Sequence, residues 1–272
     1  MIEAKSESFW NLIARDTEIK QVGTGFGFTE GPVYNRRGFL LFSDIPNERI
    51  HIWERGEMKV FREKSNKANG LTFDHQGRLL AAEGGGRVTR TEKNGSITVL
   101  AEEGLKAPND LVYAIDGSVY FTDLTGGRVY QITRARSGVS GAPPRGEVRL
   151  AFETPAPNGV ALSPNQQQLY VADVKTSMVR AFTLAPDGAL TKPRDFAPLR
   201  VDGLKTDESG NVWMASRTAI VVYDPTGREL GSITPPESPS NCCFGEGFRG
   251  LYITARKSVY HVPTKVPGTR TF

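Results

Sequence analysis

Six times along this chain a polar residue opens a short aliphatic or β-branched run, a turn follows, and a second apolar run closes on a small or acidic residue. The fullest copy is APNGVALSPNQQQLYVAD, residues 156–173. The openers are Glu30, Asn69, Asn109, Asn158, Asp202 and Asn241, and the closers are Asp44, Glu83, Asp123, Asp173, Ser216 and Ala255. Opener and closer stand 14 residues apart in five copies and 15 in the Asn158 copy. Successive closers are separated by 39, 40, 50, 43 and 39 residues, which is room for four short strands per unit. The sixfold pattern predicts an all-β fold, a six-bladed β-propeller with four-stranded blades.

Turn residues give the layout within a unit. In the second copy, runs at 70–74, 78–82, 87–92 and 96–101 are joined at His75-Gln76-Gly77 and Lys93-Asn94-Gly95, hairpin turns that end in glycine. The sixth copy supplies only three strands, starting near Cys242, Leu251 and Val259. A lone strand at 19–24 is expected to complete it, closing the ring and removing two open sheet edges. This divides the chain into an N-terminal segment (1–17), the propeller (18–265) and a C-terminal tail (266–272). Within the first segment, Phe9, Trp10, Leu12 and Ile13 behind a capping Ser6 predict one short amphipathic helix over 6–15. The 50-residue interval contains RARSGVSGAPPRG, residues 134–146, a Gly/Pro/Ser-rich insertion expected to be a surface loop or a lid.

Composition removes several functions. The 272 residues carry 34 basic and 30 acidic side chains, a formal charge of +4, with no basic run longer than Arg36-Arg37, so no nucleic-acid surface is expected. No segment approaches the ~20 consecutive apolar residues of a membrane span, and the N-terminus lacks a leader pattern. The expectation is a soluble cytoplasmic protein, monomer or homodimer, with no nucleic-acid or membrane partner. Cys242 and Cys243 are adjacent, and neighbours on a strand point to opposite faces, so they are expected as free thiols.

In a propeller the first strand of each blade lines the central channel, so one repeat position becomes a ring around the axis. All six openers offer oxygen. Two carboxylates, Glu30 and Asp202, with several amide carbonyls suit a hard divalent cation, Ca²⁺ first. Without an ion the two carboxylates would repel, and one would shift toward its protonated form. Asn or Asp before glycine also terminates turns, which accounts for each opener singly. Six in register, one of them glutamate, go beyond that. The histidines His51, His75 and His261 lie outside the ring, no G-x-S-x-G is present, and Gly84-Gly85-Gly86 lacks the lysine and serine of a phosphate loop.

The segments TEGPVY with LLFSDIPNERIHIW, ANGLTFDHQGRLLAAE, APNDLVYAIDGSVYFTD, NGVALSPNQQQLYVAD and VDGLKTDESGNVWMAS closely resemble the SMP-30/gluconolactonase/luciferin-regenerating-enzyme family. The resemblance covers almost the whole chain. It implies a six-bladed propeller with a divalent metal, commonly calcium and sometimes zinc or manganese, and lactone hydrolysis. Carried over motif by motif, the metal ligands become Glu30 of E-G-P, Asn109 of P-N-D, Asn158 of N-G-V and Asp202 of D-G-L. Ca²⁺ leads the expected ions, with Zn²⁺, Mn²⁺ and Mg²⁺ as alternatives. Two stretches depart from the family: Ala82-Glu83-Gly84-Gly85 stands where Cys-Glu-His-Gly is frequent, and Thr122-Asp123-Leu124-Thr125-Gly126 where Thr-Asp-Pro-Pro-Tyr-Gly is frequent. These departures place the substrate rim apart from that of the sugar lactonases.

The resulting expectation is a metal-dependent hydrolase that opens a small-molecule lactone or similar cyclic ester. Asp202 is its general base, or alternatively its nucleophile. Asn69, Asn109, Glu83 and Arg217 are candidate substrate contacts, with Arg87, Asp123 and the 134–146 segment also on the rim. Two other readings stay open on the residues alone. One is phosphotriester hydrolysis on the same metal site, and the other is a non-catalytic scaffold with a structural ion.

Overall fold

Runs rich in Val, Leu, Ile, Phe and Tyr between Gly, Asp and Asn punctuation become strands throughout. The structure, a computed structural model, describes residues 1–134, 146–247 and 249–269. The N-terminal stretch forms β1 (Ile2–Ala4), a short 3-10 helix (Glu7–Asn11) and β2 (Lys20–Thr24). Blade 1 is β3 (Thr29–Asn35), β4 (Phe39–Asp44), β5 (Arg49–Glu54) and β6 (Glu57–Arg62). Blade 2 is β7 (Ala68–Phe73), β8 (Leu79–Glu83), β9 (Arg87–Thr91) and β10 (Ile97–Ala101). Blade 3 is β11 (Pro108–Tyr113), β12 (Val119–Asp123), β13 (Arg128–Ile132) and β14 (Val148–Glu153). Blade 4 is β15 (Pro157–Leu162), β16 (Gln168–Asp173), β17 (Met178–Leu184) and β18 (Leu190–Ala197). Blade 5 is β19 (Val201–Thr206), β20 (Val212–Ser216), β21 (Ile220–Tyr223) and β22 (Glu229–Ile233), and blade 6 is β23 (Pro239–Gly245), β24 (Gly250–Ala255) and β25 (Ser258–Pro263).

Closure follows the expected route: β2 pairs antiparallel with β25, Lys20 opposite His261, and becomes the outer strand of blade 6. The innermost strands contact one another in the order β3, β7, β11, β15, β19, β23 and back to β3, a closed ring. One apolar cluster fills each seam between blades, as in Leu41, Ile50, Leu71 and Phe73 between blades 1 and 2. The seam between blades 5 and 6 is the largest, because Phe9, Leu12 and Ile13 dock on Trp213, Ile253 and Val262. The helix expected over 6–15 is reduced to a single 3-10 turn, since Ser6 makes no side-chain cap and docking fixes the backbone there. Upstream, β1 adds a fifth strand to blade 5, Ile2 opposite Ile233, which three residues without periodicity could not announce. The 134–146 insertion lies, apart from its two ends, outside the described residues.

The channel is closed at one end. After β25 the chain crosses back so that Gly268 bridges Asp207, and the Thr269 amide donates to the Thr206 carbonyl at 2.9 Å. This leaves a small space of about 60 Å³ walled by Val33, Leu71, Leu111 and Phe244. Chemistry therefore falls to the other end. No described helix is long and apolar enough to cross a membrane.

Candidate active site at the open mouth

Openers and closers meet at one end because they face each other across the first strand pair of each blade. Thr29 pairs with Asp44, Ala68 with Glu83, Pro108 with Asp123, Pro157 with Asp173, Val201 with Ser216 and Pro239 with Ala255. In all six pairs the register slips beside the opener. A bulge of this kind re-aims a side chain out of the ladder. Openers of different blades then meet. Asn241 Nδ2 donates to Glu30 Oε2 at 3.1 Å, and the Asn158 amide hydrogen-bonds the Asp202 carboxylate.

Glycine after the opener permits this approach. A Cβ on Gly159 would lie 2.4 Å from the Asp202 carbonyl oxygen, and one on Gly203 would lie 1.9 Å from Asn241 Cγ. Both distances are below any tolerable contact, so glycine is required at these two positions.

Glu30 is 3% exposed, and its Oε2 also accepts the Gly31 amide at 2.5 Å. Burial pushes its carboxyl well above the usual range, with the charges of Asp202 and Asp110 adding to the effect. Asp202 keeps an edge in the open cavity, yet burial still raises it to about 6, against the opposing pull of the Asn158 hydrogen bond and Arg200. Asn109 and Asn158 are buried on β11 and β15 beside this pair. Two carboxylates that interact, with amides around them, are thus both held above the ordinary carboxylate range, first by burial.

A third carboxylate belongs to the centre and was not singled out by the repeat. Asp110 occupies the column after the opener, where four other copies carry glycine. Its Oδ1 accepts the Leu111 amide at 2.9 Å, while Oδ2 makes no hydrogen bond and faces Lys205 Nζ at 3.7 Å. The signal was present as the one acidic residue of that column. Among the described residues no group of three His, Cys, Asp or Glu side chains could by itself enclose a metal ion, so any cation here depends on amide oxygens too.

The remaining rim candidates separate into two kinds. Asn69 is half-buried on β7, its carbonyl accepting Ser43 Oγ at 2.8 Å. Arg217 is exposed and lines, with Phe28, Arg200, Asp202, Ser216 and Arg256, a cavity of about 490 Å³ above the Glu30–Asp202 pair. Glu83, by contrast, is fully buried: Arg62, Arg87 at 2.5 Å, Thr89 at 2.7 Å and Asn66 at 3.1 Å occupy its oxygens. Asp123 is likewise buried and accepts the amides of Lys106, Ala107 and Gly126. These carboxylates clamp loops, and Arg87 is spent on Glu83, so none of the three presents a free group to a ligand. Arg200 and Arg256 line the cavity without having been singled out, because neither sits in the opener column.

The model of the "SMP-30/Gluconolactonase/LRE-like region" matches residues 28–257. A gluconolactonase of Zymomonas mobilis is 30% identical over 93% of this chain and 83% of its own length. Among solved structures, a gluconolactonase from Xanthomonas campestris superposes with a TM-score of 0.87 at 27% identity, covering 97% of this chain and 94% of that one. Regucalcin from Agrobacterium tumefaciens, described as a calcium-binding protein, superposes at 0.78 with 18% identity over 94% and 96% of the two chains, a likeness of fold alone. The chain belongs to the SMP-30/gluconolactonase/LRE-like family.

Proposed function

We propose that the protein is a lactonase whose centre is a divalent cation, Ca²⁺ in first place, held by Glu30, Asn109, Asn158 and Asp202. The carrying observation is the pair of Asp202, which lines the open cavity, and buried Glu30, two carboxylates whose proton affinity is raised by burial and by neighbouring negative charge. Carboxylate and amide oxygens with no thiolate or imidazole suit a hard cation. A cation bound there would polarise a lactone carbonyl and acidify a water molecule.

The chain's own groups supply the rest. Asp202, the carboxylate that faces the cavity, takes the proton as water oxygen attacks the carbonyl carbon. When the ring C–O bond breaks, the same proton passes from Asp202 to the departing alkoxide, and a hydroxy acid is left. Asn69 and Asn109 offer amide hydrogens to the substrate or its developing oxyanion. Glu30 does no proton transfer: Asn241 and the Gly31 amide fix it, and it holds charge rather than moving it.

Removing divalent ions with chelator should abolish turnover of a panel of γ- and δ-lactones, and Ca²⁺ should restore it. Asp202→Asn should fold normally and lose about 100-fold or more in kcat. Chelator-resistant lactone hydrolysis would refute the cation's part, and full turnover by Asp202→Asn would refute the base.

A further inference from the structure

The closer column divides the mouth into two unlike halves. In blades 1 to 4 the closers are Asp44, Glu83, Asp123 and Asp173, and each is consumed by donors from nearby strands and loops. Asp44 accepts the amides of Gly27 and Phe28, and Asp173 those of Ala156, Lys175 and Thr176. Blades 5 and 6 carry Ser216 and Ala255 instead, and the next residues are Arg217 and Arg256. Both arginines are exposed on tight turns, and Arg256 holds its turn with φ of 47°. Arg200 enters the same cavity from the start of β19, beside Asp202.

Three arginines and a single carboxylate therefore line this cavity of about 490 Å³. Among the described residues Arg217 and Arg256 make no ion pair. Glu237, on the same connection as the lining residue Ser238, is engaged by the Lys257 amide at 2.9 Å, by Ser258 Oγ and by Tyr260 Oη at 3.0 Å. Guanidinium forks bind carboxylate and phosphate oxygens in paired hydrogen bonds, and like charges gathered without an anion repel. A neutral sugar lactone uses none of this.

We infer that the substrate is a lactone bearing a second, free carboxylate, the lactone of a dicarboxylic sugar acid, with that carboxylate seated among Arg200, Arg217 and Arg256. The reacting ester then lies over Asp202 and the anionic end over blades 5 and 6. The lactone half of this statement rests on the proposed hydrolase. The anion subsite rests on the arginines alone.

The test compares kcat/KM of the Ca²⁺-loaded full chain for glucono-1,5-lactone, a glucarolactone and a 6-phosphorylated gluconolactone. The glucarolactone should be favoured about tenfold or more, chiefly through KM. That ratio should collapse toward unity in Arg217→Gln and in Arg256→Asn, asparagine being tolerant of a left-handed backbone. A ratio near one in the wild type, or one that survives both substitutions, overturns the inference and leaves the lactonase standing. Preference for the phosphorylated lactone keeps an anion subsite but overturns the carboxylate. If no lactone is hydrolysed, the lactonase fails, and titration calorimetry decides the subsite. Glucarate should then bind more tightly than gluconate, a difference lost in the double variant, and equal binding overturns it.

Discussion

Replacing Glu83 by glutamine tests whether the closers of the first four blades are clamps or ligand contacts. The carboxylate has no exposed surface, while Arg62 and Arg87 keep 12% and 34% of their side chains exposed. Arg87 can therefore turn to water when the charge is lost, but Arg62, which reaches from β6 of blade 1 into blade 2, is left largely buried and unpaired. Breaking a buried pair on one side costs about 3–5 kcal/mol, and Arg87's escape puts this case at the lower end, about 3 kcal/mol. For a chain of this size the midpoint of thermal unfolding should fall by roughly 6–12 °C. The dependence on pH supplies an internal control. Burial alone would raise the Glu83 carboxyl, but Arg87, Thr89 and Arg62 outweigh it and hold the group below its ordinary value. A depressed carboxyl contributes stability above its unfolded value, and this is lost as pH falls through the folded one. The gap between wild type and Glu83→Gln, measured by calorimetry, should thus be full at pH 7 and close in acid. Lactone kcat/KM should stay within about threefold at pH 7 and 25 °C. A midpoint within 2 °C of wild type at pH 7, a gap unchanged in acid, or a selective rise in KM would each sink the clamp.

Two further substitutions or treatments follow from the same contacts. Gly159→Ala should cost about 1–3 kcal/mol and weaken Ca²⁺ binding together, since its Cβ meets the Asp202 backbone at 2.4 Å; loss of stability with unchanged calcium affinity would separate fold from site. Cys242 and Cys243 are buried thiols, the first pushed up to about 12 by burial, and should resist a thiol reagent until the protein unfolds; rapid labelling of the native protein would contradict that burial.

What the sequence revealed is what recurs. A blade must repeat the same hydrogen-bonded register, so its strands, its turns and the opener column leave a period that can be counted. The vacant edge of blade 6 was equally visible, since a unit three strands long needs a fourth from elsewhere. Hidden features were those made by contact between distant residues. Nothing local shows that Lys205 faces Asp110, or that β1 would find the edge of β22. The acidic closers were the instructive case: at the strand end, Glu83 and Asp123 looked like ligand contacts, but their oxygens are claimed by donors 16 to 21 residues upstream, on β6 and in the loops that follow β6 and β10.

The donors around each closer show why blades 5 and 6 do without an acid. Between the second and third strands lie residues 45–48, 124–127 and 174–177 in blades 1, 3 and 4, and there the closer is Asp. Turns of that length leave amides pointing inward, and a carboxylate at their base satisfies them, as Asp173 does for Lys175 and Thr176. In blade 6 the connection is only 256–257, a hairpin that closes on its own backbone. In blade 5 the Ser216 amide and hydroxyl both reach the Ala219 carbonyl at 2.8 Å. The Thr218 and Ala219 amides donate there to Ser216 Oγ, at 3.5 and 3.2 Å, so a neutral hydroxyl fills the place that a carboxylate fills in blades 1, 3 and 4. The closer column thus lacks negative charge in the two blades whose next residues, Arg217 and Arg256, line the cavity with Asp202.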